Sequence, residues 1–253
     1  MGNKYNYGLT FIDSTDLYKH VENTVKEYSV SVDLKKFNSN IIDPIKLTFD
    51  SVVYNQQIEN IIESEVMRQL DKTNSNSIGY FHQNIFSYFG NGWSVPQHGY
   101  DIINEKQGVF CELKNKHNTM NSSSSAKTYM RMQNTLIKQP DATCYLVEVI
   151  AKSSQDIPWV ITLDGERQAA HEQIRRISID KLYEKVTGID DAFAQLCEVL
   201  QQVIFDVVNN IGAKSKSNTV LDELKDISPN LLKSLYLLAF EKYDGFKDFN
   251  ILK

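Results

Sequence analysis

Apolar residues recur at every third or fourth position between residues 50 and 70, in a stripe made of Tyr54, Ile58, Ile61, Ile62, Val66 and Leu70. This spacing predicts an amphipathic helix. Shorter periodic stretches predict helices at residues 17–28 and 77–89, and the turn sequence GNGW ends the second of them. The segment SVSVDLKKF, which begins at residue 29, alternates in polarity and indicates a strand.

Two short apolar stretches, GYDIIN at 99–104 and VFCELK at 109–114, predict strands joined by the hairpin loop NEKQG, so we expect them to pair antiparallel. A polar segment, NKHNTMNSSSS, precedes a helix that carries Ala126 to Ile137 and stops at Pro140. The apolar run ATCYLVEVIA at 142–151 is typical of a strand buried on both faces. A strand, a helix and a second buried strand form a crossover unit, which makes strands 109–114 and 142–151 parallel.

The last third of the chain is predicted to be mostly helical. It contains ERQAAHEQIRRISIDKLYEKVTG, an amphipathic segment at about 190–210, and a final helix opened by Ser228 and Pro229. No composition shift marks a domain boundary. We therefore expect one domain over residues 1–253, with a core at about 50–165 and helical extensions. The fold class is α/β with mixed α+β character, a twisted mixed β-sheet flanked by α-helices.

Composition sets broad limits on the class of protein. The 253 residues, 42% of them hydrophobic, can bury a large core, and a net charge of −5 gives no overall attraction for nucleic acid. Cys111, Cys144 and Cys197 lack paired spacing and are interpreted as buried free thiols. No apolar run reaches signal-peptide or membrane-spanning length, so we expect a cytoplasmic protein with no membrane partner.

The candidate chemistry lies in the two middle strands. Residues two apart on a strand point to one face, so Glu112 and Lys114 project together, and the antiparallel neighbour can bring Asp101 beside Glu112. Two adjacent carboxylates repel each other unless a cation lies between them, and Mg²⁺ prefers such oxygen ligands. The group suits hydrolysis of a phosphodiester, with Lys114 orienting the attacking water and stabilising the pentacovalent phosphate.

The acid–Leu–Lys tripeptide alone is a weak signal, because it also occurs at residues 33–35 and 223–225. Only the middle copy has an acid on a preceding strand, a hairpin, and a crossover helix with a buried strand after it. The alternative interpretation is a surface ion pair on a sheet edge.

With this context, GYDIIN followed by VFCELKNK resembles the PD-(D/E)XK nuclease superfamily, although Tyr100 replaces the proline before the first acid. Residues 81–188, with ELKNKHNTMNSSS and IRRISIDKLYEKVTG, look like type II restriction endonucleases, in particular a bacterial family that cuts GGNCC sites. The resemblance implies a restriction-endonuclease-like core, with Asp101 and Glu112 as Mg²⁺ ligands and Lys114 as a catalytic residue. Members often add a glutamate from an earlier helix; Glu63 or Glu59 could serve, and we favour Glu63.

A set of polar and basic residues after the second strand is suited to hydrogen bonds with phosphates and base edges. We expect DNA contacts from Asn115, Lys116, His117, Asn118, Lys127 and Arg131. The alternative is an ordinary solvated loop and helix face. Arg175 and Arg176 are adjacent and cannot share one helix face, so at least one of them is expected to be a structural partner of nearby acids.

The sequence as a whole predicts a Mg²⁺-dependent, sequence-specific endonuclease that cuts double-stranded DNA as a homodimer. A palindromic site presents two equivalent phosphates, which a twofold protein can meet. A companion methyltransferase is expected in the same bacterial system, but not in a stable complex. Two alternatives stay open: a repair or structure-specific nuclease of the same fold, and a non-catalytic DNA-binding or interaction module.

Overall fold

The computed structural model of the protein describes residues 5–163, 165–240, 242, 243, 246 and 249. Within them the helices are α1 Ser14–Glu27, α2 Leu34–Ser39, α3 Pro44–Val53, α4 Ile58–Asn84, α5 Ser122–Lys138, α6 Ile179–Thr187, α7 Ala192–Ile211, α8 Val220–Ile227 and α9 Leu231–Phe240. The strands are β1 Ser31–Val32, β2 Trp93–Ser94, β3 Ile102–Asn104, β4 Val109–Lys116, β5 Thr143–Ile150, β6 Asp156–Pro158, β7 Thr162–Leu163, β8 Glu166–Arg167, β9 Ile174–Ser178 and β10 Ser217–Asn218.

The chain divides into two compact units. The first comprises Met1–Glu27 and Ser77–Gly212, and the second comprises Tyr28–Asn76 and Ala213–Lys253. The expectation of a single domain with a core at about 50–165 stays a prediction, since two compact units of one chain can still unfold together. Residues 1–4 and 250–253 of that predicted domain lie outside the described residues.

A mixed six-stranded sheet, in the order β2-β3-β4-β5-β9-β6, forms the centre of the first unit. β3 pairs antiparallel with β4, while β4, β5 and β9 run parallel to one another. β2 and β6 are antiparallel edge strands. The predicted hairpin, the predicted parallel pairing of the two middle strands and the fold class are thereby confirmed.

Helices cover both faces of this sheet, which is why β5 consists almost entirely of apolar residues. Cys111, Leu113 and Val147 face one apolar core, to which α1, α6 and α7 contribute. Phe110 and Leu146 face the opposite core, where α5 packs through side chains that include Tyr129 and Met132. Glu112 and Lys114 share the face of Phe110, and therefore lie on the α5 side of the sheet.

The second unit is mainly helical. It contains α2, α3, α8, α9 and most of α4, together with the short parallel pair of β1 and β10. Its apolar core includes Phe37, Leu47, Ile62, Leu224 and Leu235.

Several predicted boundaries were wrong. The helix predicted over 50–70 begins only at Ile58, since α3 ends at Val53 and Tyr54 is its C-cap. From there α4 runs on for 27 residues without the predicted break, because the polar segment after Leu70 continues it. The segment IRRIS forms the strand β9, not part of a helix. Only two residues of SVSVDLKKF pair as a strand, since Asp33 accepts a hydrogen bond from the Lys36 amide and starts α2.

Two further expectations need correction at single residues. The last helix begins at Leu231, and Asn230 rather than Ser228 accepts a hydrogen bond from its first turn, at the Lys233 amide. Cys111 and Cys144 are buried free thiols as predicted, but Cys197 is exposed. Among the described residues, no helix combines the length and apolar character that a membrane crossing requires.

Candidate active site

Asp101 is held beside Glu112 by the backbone of β4. It lies just before β3, where its amide donates a hydrogen bond to the Cys111 carbonyl at 2.9 Å. Its carboxylate Oδ2 accepts a hydrogen bond from the Leu113 amide at 2.7 Å. These two bonds flank position 112 on both sides. The hairpin therefore fixes the first acid of the motif next to the second.

Both carboxylate oxygens of Glu112 face a cation. Lys114 Nζ donates to Oε1 at 2.7 Å, as expected for residues two apart on one strand. Arg131 reaches Oε2 from α5 and also donates to the Gly99 carbonyl. Arg131 thus spans the short distance between the crossover helix and the loop before Asp101.

Tyr100, the residue before Asp101, supports Arg131. The guanidinium lies over the Tyr100 ring, 4.7 Å from its centroid, a cation–π arrangement. The Tyr100 hydroxyl is 2.8 Å from Thr135 Oγ1 on the same helix. Burial raises the pKa of Tyr100, so the hydroxyl stays protonated and can hold this hydrogen bond.

The surroundings of Asp101 disfavour the ionised form of its carboxyl group. Burial raises the pKa of Asp101 above its usual range, and the negative charge of Glu112 adds to this effect. The Leu113 amide, Lys114 and Arg131 oppose it. Desolvation and the nearby like charge both destabilise the Asp101 carboxylate, so a further cation at this position would stabilise it.

The donor set fits Mg²⁺. This ion is usually bound by one or two carboxylates and keeps several waters and substrate oxygens, and Asp101 and Glu112 supply such a pair. No three acidic, histidine or cysteine side chains of the described residues form a group able to hold a metal.

Glu63, the favoured third carboxylate, lies on α4 in the second unit and is exposed, as is Glu59. It lines a shallow pocket with Met67, Lys216 and Asn218. Its support of the metal site stays a prediction.

The residues predicted to contact DNA occupy different environments. Lys116, Asn118 and Lys127 are exposed. Asn115 is partly buried, and strand alternation directs it to the face opposite Lys114. Arg131, also in the predicted set, is the partner of Glu112 described above. Exposure suits these contacts but does not test them, so the DNA-binding set also stays a prediction.

His117 belongs to a cluster of polar side chains around Glu148 that the sequence analysis did not predict. Its Nδ1 lies 2.9 Å from Glu148 Oε2, and Glu148 is only 2% exposed. Gln155 Nε2 donates to the same carboxylate at 3.3 Å, and Arg176 Nε lies 3.5 Å away. A lone acid within the apolar run YLVEVI was the signal that could have revealed a buried polar group.

Comparison with known proteins decides the family. The model of the Eco47II restriction endonuclease family matches residues 9–209, which include Asp101, Glu112 and Lys114. The chain belongs to this family. Its relatives include the type II restriction enzyme Sau96I of Staphylococcus aureus, 31% identical over 86% of this chain and 87% of that protein. Another, the type II restriction enzyme Eco47II of Escherichia coli, is 29% identical over 78% of this chain and 86% of that protein.

Membership of the Eco47II family confirms the predicted relationship to type II restriction endonucleases. It also confirms the predicted class of enzyme, a site-specific deoxyribonuclease.

Proposed function

We propose that this chain hydrolyses phosphodiester bonds of double-stranded DNA with Mg²⁺ held by Asp101 and Glu112, and with Lys114 as the catalytic lysine. One observation carries the proposal: the Asp101 carboxylate accepts the Leu113 amide, so both acids of the motif meet beside the Lys114 ammonium. A solvated ion pair on a sheet edge would have no reason to be flanked by a second, partly buried acid whose pKa is raised.

Each residue then has a defined task. When bound at the two carboxylates, Mg²⁺ neutralises phosphate charge and favours ionisation of a water molecule. Asp101 and Glu112 orient the ion relative to the sheet. Lys114, a point charge on a flexible stem, orients the attacking water and stabilises the charge that develops on the phosphate. Glu63 is proposed to support this site from α4.

The proposal extends to substrate and assembly. The family resemblance alone supports a GGNCC site, which a homodimer would read with its twofold axis matching that of the DNA. Exposed Lys116, Asn118 and Lys127 supply phosphate and base contacts, together with Asn115 and His117. The companion methyltransferase recognises the same site without forming a stable complex with this chain.

A plasmid digest tests the function. Purified protein in Mg²⁺ should give discrete fragments whose sequenced ends map to GGNCC, and EDTA should abolish them. Lys114→Ala should lower the cleavage rate at least about 100-fold, since it removes a group that stabilises the transition state.

The chain offers a matched control for this digest. Lys225→Ala alters the same tripeptide at residues 223–225, where Lys225 is exposed on α8, and should leave cleavage unchanged. Cutting that depends on DNA structure rather than sequence would indicate a repair nuclease instead. Intact DNA with folded wild-type protein would indicate a non-catalytic module.

A further inference from the structure

A small basic pocket lies next to Lys114, at the carboxyl ends of the three parallel strands. Lys114 on β4 is in register with Glu148 on β5, which is in register with Ser178 on β9. Lys114, Lys116, Glu148 and Arg176 line the pocket, together with residues of the loop before α5. Ligands of open α/β sheets bind in crevices at this end of the strands.

The two adjacent arginines of β9 have opposite roles. Arg175 Nε donates to Asp156 at 2.5 Å, and its terminal nitrogens donate to the carbonyls of Asp156 and Glu172. Arg176 points to the other face, towards Glu148 and the pocket. Within the described residues, Arg176 Nε lies 3.5 Å from Glu148 without a hydrogen bond to it. Arg175 is therefore held by protein groups on three sides, whereas Arg176 retains donors for a ligand.

Glu148 explains how such a pocket can be rigid. A carboxylate that is 2% exposed must be compensated by hydrogen bonds and charge. His117 and Gln155 contact it, and Arg176 lies close to it on the pocket side. The single negative charge thus positions Arg176 and His117. Lys114 is paired with Glu112, but Lys116 adds a positive charge to that of Arg176, so the pocket suits an anion.

We propose that this pocket binds a DNA backbone phosphate that neighbours the scissile one, with Arg176 as the binding residue and Glu148 as its positioning residue. The inference rests on the proposed endonuclease function. Glu112 pairs in register with Leu146, and Leu146 pairs with Arg176, so Arg176 lies two strands from the catalytic carboxylate. That separation is about 10 Å between the strand backbones, so Arg176 is assigned to the phosphate next to the one contacted by Lys114.

Equilibrium binding of duplex DNA in EDTA, measured over a range of salt concentrations, tests the proposal. Arg176→Gln should weaken binding about tenfold at low salt and make the slope of log K against log salt shallower by about 0.9, the value for one lost phosphate contact. The loss should be equal for DNA with and without GGNCC, because a phosphate carries no sequence information. An unchanged slope would overturn the proposal.

Arg175→Gln is the matched control, since it removes the same charge one position away on the opposite face. It should leave the salt slope unchanged, whatever its effect on melting temperature. Arg176→Lys keeps a point charge and should restore the slope. If Arg176 served only to compensate buried Glu148, the variants would lower melting temperature while the slope stayed that of the wild type.

Chemically modified DNA gives a readout that does not depend on the stability of a variant. Neutral methylphosphonate groups are placed one at a time at the phosphates around the cleavage position. One position outside the scissile bond should weaken binding by the wild-type protein about tenfold but have little effect on Arg176→Gln. Equal losses for both proteins at every position would contradict the assignment.

The outcomes separate this inference from the proposed function. A wild-type protein that neither binds nor cuts duplex DNA contradicts both. A protein that cuts DNA, yet whose Arg176→Gln variant keeps the wild-type affinity and slope, contradicts the phosphate pocket alone.

Discussion

At the scale of single residues, Glu112 pairs with two cations, and the proposed Mg²⁺ would be a third. Lys114 and Arg131 occupy its two oxygens, and the proposed Mg²⁺ must use the same carboxylate. Arg131 also contacts Gly99 and Tyr100, so it is well placed to stabilise Glu112 when no metal is bound. Metal binding therefore competes with an ion pair inside the site.

Removal of this competitor should tighten metal binding. We expect Arg131→Gln to lower the dissociation constant for Mn²⁺ about two- to fivefold in the absence of DNA, as the loss of a partly exposed ion pair worth ~0.5–1 kcal/mol implies. Isothermal titration calorimetry measures it. Lys138→Gln removes the same charge from the exposed end of α5 and should change nothing. Weaker Mn²⁺ binding by Arg131→Gln would mean that Arg131 organises the carboxylates instead.

The raised pKa of Asp101 predicts a pH dependence of stability without metal. A carboxyl whose pKa is higher in the folded state stabilises the protein below its ordinary value of 3.8, and this contribution is lost as pH rises through the folded-state pKa. At pH 7, Asp101→Asn should therefore raise the melting temperature by about 1–3 °C, corresponding to less than about 1 kcal/mol.

Melting curves in EDTA between pH 4 and pH 8 measure this effect. The difference between Asp101→Asn and the wild type should shrink towards pH 4, where the wild-type carboxyl takes up its proton. Added Mg²⁺ should stabilise the wild type and not the variant, because only the wild type retains both carboxylates. A variant less stable than the wild type at pH 7 would contradict the proposed strain.

At the scale of elements, α5 links the polar loop after β4 to the catalytic face. Asn121 caps this helix: its side chain accepts a hydrogen bond from the Ser124 amide at 2.8 Å. Asn121→Ala should cost about 1 kcal/mol, or about 2–4 °C in melting temperature for a chain of this length. Asn121→Asp retains the acceptor and should keep the wild-type value. Equal losses for both variants would show that the side-chain acceptor of residue 121 is not what stabilises the helix.

Local sequence patterns predicted most of the strands and the helix that carry the acid–Leu–Lys motif. The β3–β4 hairpin and the β4–α5–β5 crossover were readable because their apolar periodicity, turn residues and lengths all agreed. Asp101, Glu112 and Lys114 could then be aligned by strand alternation alone. The IRRIS segment was missed because short apolar runs between helical patterns do not distinguish a strand from a helix.

Contacts between distant elements could not be predicted in this way. The pairing of Arg131 with Glu112 depends on how α5 packs across the sheet, and that of Arg176 with Glu148 depends on β9 lying beside β5. Nothing in the local sequence around either arginine specifies these neighbours. Contacts between side chains of two different elements are thus the part of the site that only the three-dimensional structure reveals.

At the scale of the whole molecule, the net charge of −5 limits how the protein can hold DNA. Its overall field repels a polyanion, so affinity must come from a few local cations such as those beside Lys114. Weak binding to non-specific DNA is an advantage for a restriction enzyme, because the enzyme must scan long DNA for its site without being held at other sequences.

Twofold assembly makes a prediction at the same scale. If a homodimer aligns two active sites with two strands, supercoiled plasmid carrying one site should become linear with little nicked intermediate. Sedimentation velocity should give about twice the mass of the 29.0 kDa chain. Accumulation of nicked circles followed by slow linearisation, with a monomeric sedimentation coefficient, would contradict the dimer.

The three cysteines differ in exposure, which allows one of them to be labelled selectively. Cys111 and Cys144 lie buried in adjacent strands, where burial raises the pKa of each thiol and suppresses the reactive thiolate. Partial burial also raises the pKa of the Cys197 thiol, but this residue is exposed and accessible to a reagent. It lies on α7, which packs on the sheet face opposite Glu112 and Lys114. A maleimide dye should therefore attach at one position of the unaltered chain, remote from the catalytic face, and report on DNA encounter by fluorescence without any engineered substitution.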